Sequence, residues 1–164
     1  MFYTQFDSPI GPITLHADKE SLTGLYMDVE LDASPHLSEG EEWIENPKAG
    51  VLPSALRQLR EYFAGKRRDF DLPLRAQGTA FQKTVWRNLC KIPFGVTWSY
   101  GELAKRIGQP SASRAVGMAN GRNPISIIVP CHRVIGANGT LTGYGGGLDR
   151  KRWLLTHEGC AFKD

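Results

Sequence analysis

The chain has 164 residues, of which 41% are hydrophobic, 23% charged and 10% aromatic; this balance fits one ordinary soluble domain or two small ones and excludes a large multidomain enzyme, a disordered chain and a fibrous one. No stretch approaches the roughly 20 consecutive apolar residues that span a bilayer, and the opening MFYTQFDSPIG lacks the basic-then-apolar layout of a secretory signal, so a cytoplasmic protein without a membrane role is expected. The net charge of +3 divides unevenly: residues 1–75 hold 8 basic and 13 acidic side chains (−5), residues 76–164 hold 12 basic and 4 acidic (+8), so the second part suits a polyanion such as nucleic acid unless the excess is merely a solvated surface.

Apolar and polar residues alternate around Phe2, Phe6, Ile10, Ile13 and Leu15, and Ser8-Pro9-Ile10-Gly11-Pro12 interrupts them as a hairpin turn would. A third strand from about Leu22 to Val29 completes a small antiparallel sheet, and the acidic stretch from Leu31 to Val51 reads as a long loop. Pro53 opens a helix where a missing N–H costs little; Leu56, Leu59 and Phe63 share one face that should cover the sheet, and Gly65 ends it. A short strand, Phe70 to Leu74, leads to Gln77-Gly78, where the charge switches and a domain boundary is expected, giving units 1–77 and 78–164.

Thr79 and Gln82 have capping-box spacing, and Phe81, Val85 and Leu89 continue a helix to about Lys91, with Cys90 packed inside it as a small apolar residue. Ser99 and Glu102 repeat that spacing before a helix from Tyr100 to Ile107; after Gly108-Gln109-Pro110-Ser111 a second runs from about Ala112 to Asn120. The pair reads as a helix-turn-helix or as an ordinary αα-hairpin. Ala112, Ala115, Gly117 and Ala119 are small and Arg114 is the one long charged side chain between them, so this helix permits close backbone approach to a surface, or else tight packing on its neighbours. Ile125 to Val129 is an apolar buried segment, Asn138-Gly139 a hairpin signal, Thr142 to Gly147 a glycine-rich loop without the Lys-Ser/Thr of a nucleotide-binding loop, and Asp149 to His157 a last helix carrying Trp153, Leu154 and Leu155 inward.

Cys90, Cys131 and Cys160 form no CxxC pair, which argues against a disulfide framework and a zinc site. Cys131 stands between the apolar run and His132, where a fixed backbone and a neighbouring imidazole could polarise a thiol. Adjacent side chains point apart on an extended backbone, so the two cooperate only in a turn or through a water; Glu158, one of four acids in the second part, is the best group to orient the imidazole.

Pro130-Cys131-His132-Arg133-Val134, preceded by Asn123-Pro124 and followed by Tyr144-x-Gly-Gly and Leu154-Leu155-x-His157-Glu158-Gly159, resembles the O6-alkylguanine-DNA alkyltransferase family in the pattern of its bacterial constitutive members. The resemblance extends over residues 79–162 through Ser99 to Ala104 and Ser113 to Gly117, and loosely into the first part through Arg60 to Gly65. It implies an α+β fold, with a small N-terminal antiparallel sheet and covering helix and a mostly helical C-terminal domain holding the helix-turn-helix and the active-site cysteine.

The reaction it implies is irreversible, stoichiometric transfer of an alkyl group from O6 of guanine, with O4-alkylthymine a further substrate to consider, to Cys131, without metal or cofactor: a cysteine S-methyltransferase of the single-turnover kind. By the same resemblance Glu158, His132 and a water relay the thiol proton, Tyr100 donates to guanine N3, the Gly145 N–H supports the oxygen, Asn123 ties the helix-turn-helix to the cysteine segment, Tyr144 walls the pocket, and the carbonyls of Cys131 and Val134 accept from the guanine amino group. Ala112, Ala115 and Gly117 would lie in the minor groove, Arg114 would fill the stack left by a flipped nucleotide, and Lys151 would hold phosphates. The implied partner is double-stranded DNA carrying O6-alkylguanine, bound by a monomer, with cooperative assembly on DNA open.

Two departures stand out. The zinc that some relatives hold in the first half has no cysteines here, since all three lie beyond residue 75, and Gly145 stands where other members have Ser or Ala, which suggests tolerance of bulkier alkyl groups. The rival readings are a damage-binding protein, which would lack Cys131, a thiol hydrolase, which would not need the basic half, and a helix-turn-helix regulator, which would need neither thiol nor glycine-rich loop.

Overall fold

The alternation at the start of the chain forms the strands it predicts. β1 (Phe2–Ser8) pairs antiparallel with β2 (Gly11–Ala17), Phe2 opposite Ala17 and Ser8 opposite Gly11. The Ser8 hydroxyl closes the turn, accepting from the Ile10 N–H at 3.2 Å and donating to the Gly11 carbonyl at 2.7 Å, and Gly11 supplies the φ of +102° that a side-chain-bearing residue resists. β3 (Leu22–Met27) pairs antiparallel with β2. The structure, a computed structural model, describes residues 1–27 and 42–164; Val29 of the expected third strand and residues 31–41 of the expected loop lie outside the described residues.

Beyond them, Ile44–Glu45 forms β4, parallel to β1, so the sheet is mixed, in the order β3-β2-β1-β4, rather than purely antiparallel. Two residues paired at an edge carry no alternation to read, which is why the acidic stretch conceals them. α1 (Leu52–Phe63) buries Leu52, Ala55, Leu56, Leu59 and Tyr62, each large apolar side chain contributing about 1.5–3 kcal/mol. Phe63 meets Phe6 of β1 with ring centroids 6.0 Å apart, so the helix covers the sheet as expected.

The expected strand Phe70 to Leu74 shrinks to a single bridge, Leu74 running parallel beside Leu22. Pro73 has no N–H to give a ladder, and the segment is held instead by Gln58, whose amide exchanges two 2.9 Å hydrogen bonds with the Asp71 backbone, and by Leu22, which donates to the Pro73 carbonyl at 2.9 Å. Met1–Ala76 forms one compact unit and Gln77–Asp164 a second.

In the second unit α2 (Ala80–Leu89) starts on a complete capping box from Thr79 and Gln82. Cys90 is not packed inside it: the helix ends there and Cys90 is exposed. β5 (Trp98–Ser99) leads into α3 (Tyr100–Arg106), where only half of the second capping box forms, because the Glu102 carboxylate turns to Arg106 at 2.9 Å instead of back to the cap. α4 (Ser113–Gly121) is fastened to α2 by Trp86, whose indole N–H donates to the Ala119 carbonyl at 2.9 Å. β6 (Val134–Ile135) pairs parallel with β5, Trp98 opposite Val134.

Asn138-Gly139 makes its turn, the Gly136 N–H reaching the Thr140 carbonyl at 2.9 Å, but no hairpin ladder follows, because β6 is paired with β5 and Thr140 bridges Lys163. α5 (Leu148–His157) buries Leu154 and Leu155 completely; Trp153, expected inward with them, is half-buried and stacked on His157 at 4.8 Å. Among the described residues no helix is long and apolar enough to cross a membrane.

Candidate active site

The apolar residues of the run Ile125 to Val129 are buried, as expected, in a tight loop that delivers Cys131. Asn123 braces the loop at both ends, accepting from the Ile125 N–H at 3.0 Å and donating to the Val129 carbonyl at 2.8 Å. Between those anchors Ile127 sits at φ +72°, in the left-handed region that a β-branched residue rarely enters. Such strain costs on the order of 1–3 kcal/mol and persists only where the surroundings impose it; here it is stored directly upstream of the cysteine.

Cys131, His132 and Arg133 then form a 3-10 turn, which removes the obstacle that an extended backbone would set to cooperation between Cys131 and His132. Cys131 is only 5% exposed. Burial pushes its thiol above the usual value, while hydrogen bonds from the side chains of Asn123 and Ser126 and the positive charge of Lys151 pull the other way without overcoming it. The resting sulfur is therefore a thiol and needs a base.

The turn sends His132 and Arg133 onto the same acid. Glu158 caps the C-terminus of α5 and is buried, with His132 Nε2 2.7 Å from its Oε2. Arg133 donates from Nε to Oε1 at 2.6 Å and from Nη2 to Oε2 at 3.2 Å, and its Nη1 donates to the Ile92 carbonyl at 2.7 Å. Burial alone would raise the Glu158 carboxyl; the hydrogen bonds and charges of His132 and Arg133 outweigh it and hold it at about 2. Burial lowers His132 more than Glu158 raises it, so the imidazole is neutral at pH 7. An ionised carboxylate only accepts, which fixes the proton on Nε2 and leaves Nδ1, buried and without a hydrogen-bond partner, as a free base.

Around this centre the Tyr100 phenol, at the start of α3, lies 2.6 Å from the Thr142 hydroxyl at the head of the glycine-rich loop. Gly117 of α4 faces the Tyr100 ring. The Tyr144 hydroxyl is buried, and burial raises it well above its usual range against the opposing pull of Ser126. Gly145 is exposed, and a Cβ there would meet open space. Ala112, at the N-cap of α4, and Gly117 within it are half-buried, whereas Arg114 and Ala115 are exposed and Met118 is 61% exposed.

One expected site residue is misplaced. Lys151 cannot hold phosphates: it is fully buried, and its ammonium donates to the Val134 carbonyl at 2.7 Å and the Thr142 carbonyl at 3.3 Å. Four side chains of the centre were missed altogether. Arg133 was legible only as part of the motif, although a second cation beside Cys131-His132 in a chain segment this poor in acids signals a shared carboxylate. Ser126, Asn120, whose amide donates to the Cys131 carbonyl at 3.4 Å, and Thr142 carry no signal in sequence. Among the described residues no three His, Cys, Asp or Glu side chains gather as a metal-ligand set.

Residues 80–160 match the family described as 6-O-methylguanine DNA methyltransferase, DNA binding domain, and residues 1–76 match its ribonuclease-like domain. The chain is 54% identical to a methylated-DNA–protein-cysteine methyltransferase of Methanosarcina acetivorans, over 97% of this chain and 99% of that one, and 54% identical to one of Mycolicibacterium paratuberculosis, over 95% and 91%. A solved structure of Mycobacterium tuberculosis OGT in complex with DNA superposes with a TM-score of 0.87 at 52% identity, covering 97% of this chain and 93% of that one. With both halves matched and the likeness running the length of the sequence, the chain belongs to the 6-O-methylguanine DNA methyltransferase family.

Proposed function

We propose that this protein repairs double-stranded DNA by taking the alkyl group from O6 of guanine onto the sulfur of Cys131, and that each molecule acts once. The observation that carries this reading is the unpartnered, buried Nδ1 of a neutral His132 whose other nitrogen is fixed by an anionic Glu158, in the same short turn as a buried thiol. The thiol proton passes through one water to Nδ1, the sulfur attacks the alkyl carbon in line, and the carbon–O6 bond breaks with its electron pair going to the guanine. Tyr100 supplies a proton to N3 of the leaving base, and the imidazolium returns its own through solvent. A thioether has no easy leaving group, and the reading includes no second thiol to regenerate the first.

Recognition is assigned to the Val134 and Cys131 carbonyls for the guanine amino group, the Gly145 N–H for the oxygen, and the Tyr144 ring as the wall; Asn123 holds the acceptor loop in register. With Cys131 only 5% exposed, the lesion reaches the sulfur as an extruded nucleotide, not from within the stack. α4 is assigned to the minor groove through Ala112, Ala115 and Gly117, with Arg114 in the vacated stack. Residues 78–164 carry the chemistry and residues 1–77 support them. A free thiol acceptor suits a reducing compartment, and the cytoplasm is the one assigned in this reading.

Mass spectrometry after incubation with an O6-methylguanine duplex tests the proposal: one methyl on Cys131 and no turnover is the expected result, and binding without an adduct would overturn it. Arg114→Ala should slow repair of duplex by about tenfold, equivalent to about 1.4 kcal/mol of lost extrusion, while capture of free O6-benzylguanine is unchanged. Equal duplex rates would remove Arg114 from the stack. Because a Cβ at Gly145 would meet open space, O6-benzylguanine in DNA should inactivate the protein at a rate comparable to O6-methylguanine; strong exclusion of benzyl in the same competition assay would count against an open loop.

A further inference from the structure

We infer that Lys151 is a positioning residue for the transfer reaction: its ammonium ties the glycine-rich loop to the acceptor segment and, through Thr142, sets the place of the Tyr100 phenol. The inference rests on the alkyl-transfer reading of the site. Lysine is almost never fully buried without a charged partner, yet Lys151 is 0% exposed and, among the described residues, is bonded to no carboxylate; two carbonyls hold it instead, Val134 at 2.7 Å and Thr142 at 3.3 Å. Val134 begins β6 directly after the cysteine turn, and Thr142 begins the loop that carries Tyr144 and Gly145. The Thr142 hydroxyl in turn meets the Tyr100 phenol at 2.6 Å. One ammonium on α5 thus joins β6, the loop and the first residue of α3.

A methionine would fill the same slot without taking a charge out of water, so packing does not account for a lysine here. Burial lowers the ammonium to about 8, and at neutral pH it keeps the hydrogens that both carbonyls require. The carbonyl it grips at Val134 is the one assigned to the guanine amino group, and the phenol at the far end of the chain of contacts is the one assigned to N3. Lys151 therefore fixes the spacing between the group that reads the base and the group that protonates it, acting through Thr142 and Tyr100 beyond the pull of its charge on the sulfur.

The test compares single-turnover methyl transfer from an O6-methylguanine duplex in the parent protein, Lys151→Met, Thr142→Val and the double variant. Thr142→Val removes the hydroxyl that holds Tyr100 and keeps the carbonyl that meets Lys151. At saturating duplex, Lys151→Met should lower the rate by about 10²-fold, as ångström-scale misplacement of a reacting group does, with duplex affinity unchanged. Thr142→Val should be slower than the parent, and the double variant no slower than Lys151→Met, because both changes cut one chain of contacts. Alkylation of Cys131 by iodoacetamide, which feels the loss of the Lys151 charge but needs no base-shaped wall, should slow in Lys151→Met far less than methyl transfer does.

Additive losses in the double variant would overturn the inference, and so would an iodoacetamide rate that falls in step with methyl transfer, which would assign Lys151 to the thiol itself. If circular dichroism shows that Lys151→Met does not fold, Thr142→Val decides alone: transfer at the parent rate overturns the inference, slowed transfer with unchanged iodoacetamide labelling upholds it. A parent protein that iodoacetamide labels but the duplex does not methylate sinks the alkyl-transfer reading instead, and the positioning role with it.

Discussion

Cys131→Ala should take up no alkyl group from an O6-methylguanine duplex, a complete loss rather than a slowing, while binding the same duplex with parent affinity. The other two thiols offer no substitute. Cys90, an exposed residue at the end of α2, has its thiol raised by desolvation against the Arg133 charge; Cys160 is pushed up to about 11, first by burial and then by the Glu158 charge. Neither stands in a turn beside a neutral imidazole with a free nitrogen. Cys131→Ser should be inert as well, because a hydroxyl ionises far less readily than a thiol whose reference value is about 8.5. Intact-mass spectrometry with peptide mapping reads the result: a methyl found on Cys90 or Cys160 of the Ala variant, arriving at the parent rate, would remove Cys131 from the reaction.

What could be read in advance follows the range of the interactions involved. The hairpin at Ser8, the capping box at Thr79 and the apolar face of α1 are set by residues within a turn or two of one another, and each is present. Glu158 could be anticipated as the partner of His132 because it is one of only four acids in the second part. The failures are long-range. β4 depends on an edge of β1 more than forty positions away, and the two-residue pairing of β5 with β6 links Trp98 to Val134. Lys151, which the resemblance sets among the phosphate contacts, is buried instead by two carbonyls 17 and 9 residues upstream, partners that no local pattern announces. The left-handed Ile127 contradicts its own residue type, and only the Asn123 brace on either side of it explains why the backbone goes there. Local propensity yields to the site at the point where the nucleophile has to be presented.

Glu158→Gln is expected to cost both stability and rate, for separable reasons. The carboxylate receives hydrogen bonds from His132 Nε2, Arg133 Nε and Arg133 Nη2; the amide offers one acceptor oxygen and leaves the Arg133 guanidinium buried without that counter-charge, a loss of about 3–5 kcal/mol. The amide also ceases to dictate the imidazole tautomer. Once Nδ1 can carry the proton the relay has no base, and transfer should fall by about 10²–10⁴-fold. Adding Arg133→Met to Glu158→Gln removes the stranded cation and should recover most of the stability but none of the rate; recovery of both would make Glu158 a structural residue only. The dependence on pH has a definite sign. Glu158 is held at about 2 against its usual 4.5, so its stabilising contribution is complete above pH 4.5 and is lost as the pH falls towards 2. His132 is lowered from its usual 6.5 by burial, so below pH 6.5 protonation also favours unfolding. The urea midpoint of the parent should therefore drop on acidification, with its final segment below pH 4.5 missing from the doubly substituted protein. If the two curves run parallel from pH 4.5 to pH 3, the acid-labile element lies elsewhere and the buried carboxylate is not what holds the cysteine turn to α5.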